Sequence, residues 1–156
     1  MQESKKEHLS MIQGIINRMA ANSFMIKGWS ITLISALFVL SSKDANQNYA
    51  FIALLPAISF WILDAFYLQL ERRYRKLYEQ VQKDYIDSTD IIKLFDMNLD
   101  NYKEICKVER IPRLMFSKSV GWIHVVIFSI VLIFCITQFS VFSYFSKILS
   151  CVVACK

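Results

Sequence analysis

Ala50-Phe51-Ile52-Ala53-Leu54-Leu55-Pro56-Ala57-Ile58-Ser59-Phe60-Trp61-Ile62-Leu63-Asp64-Ala65-Phe66-Tyr67-Leu68-Gln69-Leu70 is a run of twenty-one residues with a single ionisable side chain. A helix needs about 20 apolar residues to cross a bilayer, so this stretch reads as a transmembrane helix. Two further apolar runs flank it, at roughly 24–42 and 119–142. The chain is 55% hydrophobic, and it concentrates those residues in three blocks rather than spreading them as a soluble core would. With three Gly and two Pro, it has little turn chemistry for a β fold. An open sheet also cannot satisfy its edges in lipid. The expected class is therefore all-α: an integral membrane protein with three transmembrane helices, or four if residues 140–156 also cross.

Charge sets the expected topology. Of eighteen Lys and Arg, four lie in residues 1–27 and eleven in 71–118, whereas the 41–49 loop holds only Lys43. Basic residues stay on the cytoplasmic side of short loops. The N-terminus and the 71–118 segment are thus expected in the cytoplasm of a bacterial cell, beneath the inner membrane, with the 41–49 loop outside. Topology and the lipid bilayer account for the net charge of +5, and no direct nucleic-acid partner is expected. No secretory signal peptide is read, because the first twenty residues are charged and polar. The four cysteines, Cys106, Cys135, Cys151 and Cys155, show no zinc-finger or redox spacing and read as small apolar filler. His8 and His124 stand alone, without a second ligand at metal spacing, so no metal site and no cofactor are expected. Scattered glycines, with no nucleophile elbow and no paired carboxylates, argue against an enzyme.

Along the chain, residues 1–23 carry an amphipathic helix. Leu9, Ile12, Ile16 and Met19 recur at helical spacing, and the helix leads without a proline into the first span. Residues 24–70 form a two-helix transmembrane hairpin, with Pro56 as a potential kink in its second helix. Residues 71–118 form a cytoplasmic helical region: the second helix runs on past the membrane, followed by short helices at 90–97 and 101–109. Ser88-Thr89-Asp90 would cap the first of these. Pro112 marks entry to the third span, 119–139. Residues 140–156 alternate an apolar face with a Ser-rich one, and read as an interfacial or re-entrant helix.

Three groups of side chains are candidates for function. Asp64 lies inside a span, and an ionisable group at membrane depth marks a functional site by default. Lys27 or Arg18 would neutralise it, with Asn22 nearby, and the group could gate conduction or fix helix register. Arg72, Arg73, Arg75 and Lys76 sit at headgroup height and could hold lipid phosphates, a nucleotide messenger or an acidic partner. Tyr74, Leu77, Tyr78, Val81 and Tyr85 make an apolar stripe on a helix leaving the membrane, which suits an oligomer interface.

The segment Leu9-Ser10-Met11-Ile12-Gln13-Gly14-Ile15-Ile16-Asn17-Arg18-Met19-Ala20-Ala21-Asn22-Ser23-Phe24 with Lys27-Gly28-Trp29, and the segment Phe60-Trp61-Ile62-Leu63-Asp64 with Glu71-Arg72-Arg73-Tyr74-Arg75, resemble SLATT-like small bacterial membrane effectors of anti-phage defence and conflict systems. The likeness covers about residues 8–85. The chain departs from that pattern in its third apolar run, its Ser-rich C-terminal segment and the lack of a fused nucleotide-sensing domain. The resemblance implies a homo-oligomer that permeabilises the inner membrane on a cytoplasmic signal, delivered by a sensor protein or a nucleotide messenger. It singles out Arg18, Asn22, Lys27, Trp29, Asp64, Glu71 and Arg72. A membrane scaffold that anchors a soluble sensor or enzyme is the alternative reading, and a lipid-modifying enzyme has no catalytic constellation behind it.

Overall fold

A computed structural model describes residues 2–43, 52–87, 89 and 91–154, with side chains between Glu3 and Ser41 and onward from Ile52 to Thr137. The expected 41–49 loop, Ser88, Asp90 and Cys155 lie largely or wholly outside these residues. Every regular element among the described residues is helical: α1 (Gln2–Lys43), α2 (Leu54–Ile86), α3 (Ile111–Met115) and α4 (Gly121–Ala154). Two of them, α1 and α2, are long and apolar enough to cross a membrane, and the described apolar part of α4 spans Gly121–Thr137.

The N-terminal amphipathic segment and the first apolar run are one uninterrupted helix of 42 residues, about 63 Å long at the α-helical rise. Pro56 falls in the first turn of α2, where its missing N–H is not needed, so it does not produce the kink expected of a mid-span proline. α2 packs antiparallel on α1. Ile34 meets the start of α2 at Ala53 and Ala57, Ser23 reaches Asp64, and Lys5 reaches the Asp84 carbonyl near its end.

Leu77 and Val81 of the Tyr74–Tyr85 stripe are covered from within the same chain, which removes these two from the expected oligomer surface and leaves Tyr74, Tyr78 and Tyr85 half-buried. Leu77 and Val81 are buried against Ile12 and Ile16 of α1, with Tyr74 and Tyr78 partly buried beside them. Two amphipathic helix ends leaving the same hairpin bury each other before any second copy can. Residues 91–106 close this head: Ile92, Leu99 and Cys106 complete its core.

The expected helices at 90–97 and 101–109 do not form. The described part of 87–110 is turns, because short polar side chains capture the backbone instead. Asp84 accepts from the Ile92 N–H at 2.8 Å and from the Thr89 hydroxyl at 2.8 Å. Asp96 accepts from the Asn98 N–H, the Asn101 amide and the Tyr102 hydroxyl, each at 2.9 Å. Phe95 adopts a φ of 61°, which no α-helix accommodates.

The third apolar run enters through a turn. Gly121 opens α4 so close to the preceding segment that a Cβ there would lie 2.9 Å from the Met115 carbonyl oxygen. From Gly121 the backbone runs helical to Ala154 without a break at 139–140. The turn that a re-entrant return would need is therefore absent from the described backbone. Besides the apolar contacts between them, the three long helices turn large apolar side chains outward and bury polar ones. Phe24, Trp29, Leu33, Leu55, Ile62, Phe66, Ile130 and Ile133 face outward, whereas Ser30, Ser41, Asp64 and His124 are buried.

Candidate functional site

Asp64 stands two turns past Ala57 on the face of α2 that meets both α1 and α4, and it is 0% exposed. Two other helices supply its partners. From α1, the Lys27 ammonium lies 2.8 Å from Oδ1 and 2.7 Å from Oδ2, and the Ser23 hydroxyl donates to Oδ1 at 2.5 Å. Lys27 also donates to the Ser23 oxygen at 2.8 Å, one helical turn away. From α4, His124 Nε2 lies 3.0 Å from Oδ2. A carboxylate only accepts, so that nitrogen carries a proton and donates.

The His124 ring is itself positioned. It stacks on Trp61 at 6.3 Å with an interplanar angle of 12°. Trp61, one turn before Asp64, donates its indole N–H to the Met115 carbonyl at 2.9 Å and packs edge-on against Phe116 at 5.4 Å. The turn into α4 is thereby fastened to α2 beside the carboxylate. Ser30 and His124 Nδ1 are buried without a hydrogen-bond partner. Below this cluster toward the 41–52 end, Ile34, Ala57 and Val131 close the interior with apolar contacts.

Of the two cations considered for Asp64, Lys27 makes the pair and Arg18 does not. Arg18 is exposed on the outer face of α1, where it borders a surface depression with Met11, Phe95 and Met97. Asn22 is half-buried next to Ser23. Sequence reading passed over His124 and Ser23. The same rule that singled out Asp64, an ionisable group within an apolar run, applies to His124. Ser23 carries no signal beyond its helical spacing to Lys27.

No family model matches the chain, and neither the curated proteins nor the solved structures compared with it contain a match.

The basic run is largely engaged. Arg72 pairs with Glu109 at 2.9 Å, Arg75 with Glu71 at 2.7 Å, and Arg73 lies 3.8 Å from Asp100. Lys76 donates to the Lys107 carbonyl. In the head, burial lowers the pKa of His8 against an opposing hydrogen bond with the Asp96 backbone, so its imidazole is neutral near pH 7. Burial pushes the Asp84 carboxyl up, but hydrogen bonds from the Ile92 N–H, Thr89 and Gln80 outweigh it and hold it below its usual value. Burial pushes the Cys106 thiol up despite the nearby Arg73 and Lys76 charges, which leaves it protonated and unreactive. Among the described residues, no group of three His, Cys, Asp or Glu side chains could hold a metal ion.

Proposed function

We propose that this chain is an oligomeric effector of the bacterial inner membrane, with its N-terminus and head in the cytoplasm, three membrane spans, and the Lys27–Asp64–His124 cluster as the latch that keeps it closed. The observation that carries this reading is a fully buried α2 carboxylate shared by Lys27 and Ser23 of α1 and His124 of α4. In a hydrocarbon solvent such a cluster is stable only while all its members meet. A cytoplasmic signal, from a sensor protein or a small messenger, that shifts the head against α2 separates them. The charges and the unpaired Ser30 then demand water, and the membrane leaks. The cluster is thus a two-state element with a discrete closed geometry. The apolar outward faces of α1, α2 and α4 offer subunit contacts within lipid, a role that the buried Leu77 and Val81 cannot fill. The resemblance to SLATT-like effectors points the same way, toward anti-phage defence.

The test is the membrane potential of bacterial cells expressing the chain at matched levels. Wild type should hold the potential until triggered, and Asp64→Asn should depolarise cells without a trigger. Full potential in the Asp64→Asn cells, with the protein inserted, overturns the latch. One feature favours the scaffold reading: Ile86, Ile91, Leu94 and Phe95 form an exposed apolar edge on the head, suited to a soluble partner. Under that reading a stoichiometric protein copurifies, and no variant changes permeability.

A further inference from the structure

A cleft of about 470 Å³ opens between the cytoplasmic half of α2 and residues 107–109. Four cations, Arg72, Arg75, Lys76 and Lys107, line it against two carboxylates, Glu79 and Glu109. Residues 72, 75, 76 and 79 share one helix face by their spacing. The facing segment is tied down at both ends: Lys76 donates to the Lys107 carbonyl, and the Gln69 amide donates to the Glu109 carbonyl at 2.9 Å. The site is thus held by backbone anchors rather than by loose surface chains.

Its charges are unevenly matched. Among the described residues, Lys76 and Lys107 have no carboxylate within ion-pair distance, whereas the Arg72 guanidinium carries the Glu109 carboxylate at 2.9 Å and the Arg75 guanidinium carries Glu71 at 2.7 Å. A guanidinium fork matches carboxylate and phosphate oxygens alike. Glu109 therefore occupies the place that a more highly charged oxyanion would take. Arg72 also lies eight residues, about 12 Å, along α2 from Asp64. Phe116 and Trp122, 71% and 77% exposed, lie at the turn between α3 and α4. On the membrane reading above, on which the choice of height rests, these aromatics mark the interface and place the cleft level with the phospholipid headgroups.

We propose that this cleft binds a phosphate group, with Arg72 and Arg75 as its guanidinium contacts and Lys76 and Lys107 as its ammonium contacts. The phosphate displaces Glu109 from Arg72. A lipid headgroup and a soluble phosphate compound offer the same chemistry.

The experiment uses the full chain in a neutral detergent. Retained phosphatidylglycerol is counted by native mass spectrometry, with inorganic pyrophosphate as soluble competitor. Wild type should retain the lipid in a defined stoichiometry. Lys76→Gln with Lys107→Gln should weaken retention about thirtyfold, and Glu109→Gln should strengthen it. The charge-matched pair Lys83→Gln with Lys103→Gln, outside the cleft, should leave it unchanged. Displacement by pyrophosphate upholds the site and assigns it to a soluble phosphate; retention against pyrophosphate upholds it and assigns it to the headgroup. Equal losses in the two double variants, or no retention of either compound, overturn the proposal. None of these readouts depends on permeabilisation, so a failed depolarisation test and a failed binding test remain separate results.

Discussion

Replacing Lys27 with Met removes the only permanent cation that touches Asp64 among the described residues, while keeping the side chain's length and apolar stem. The carboxylate loses contacts at 2.8 and 2.7 Å and keeps only Ser23 and His124. Stranding one member of a buried pair costs about 3–5 kcal/mol. The lower figure applies, because the His124 Nε2–H still meets Oδ2 at 3.0 Å and the Lys27 side chain is 15% exposed. A loss of about 3 kcal/mol is roughly two orders of magnitude in the folding equilibrium. Asp64→Leu alone is cheaper, about 1–2 kcal/mol, since the freed ammonium can extend toward the interface. The double variant replaces the whole pair with apolar groups and should be near neutral. The double should therefore be more stable than Lys27→Met alone, although it carries one more substitution. Reversible unfolding in mixed micelles, run as a double-mutant cycle, reads this directly. If the double falls at the sum of the two singles, or Lys27→Met lies within about 0.5 kcal/mol of wild type, the pair does not hold the helices together.

Leu77→Ala empties the centre of the head core and should cost about 2–5 kcal/mol; accelerated labelling of the buried Cys106 by maleimide is its readout. His8 has a folded pKa below its unfolded value, so the stability it supports is complete above about pH 6.5 and declines as pH falls through the folded value. Acid titration of the wild type against His8→Phe should show that part of the pH dependence disappear in the variant.

Much of the fold is written in the spacing of apolar residues. The run at 50–70 and its two companions mark the long helices, and the stripes Leu9–Ile12–Ile16 and Leu77–Val81 mark faces that must be covered. What covers them is not written there. An amphipathic face states a need, and only the hairpin geometry shows that the two stripes satisfy each other. The described part of 87–110 was illegible for a different reason: Asp84 takes the Ile92 N–H eight positions on, and Asp96 and Asn98 take N–H groups two positions on, a competition that helical periodicity does not register. The site was half legible. Asp64 and Lys27 stand out as charges in apolar surroundings, but His124 lies sixty residues from Asp64 and joins it only when α4 docks.

The unbroken α1 has a mechanical corollary. A rod about 63 Å long, with no hinge between the head and the far rim, transmits angle rather than position. A tilt of about 5° imposed at Ile12 sweeps the opposite tip by roughly 4 Å, given about 1.5 Å of rise for each intervening residue. Whatever grips the N-terminal end therefore also steers the opposite tip.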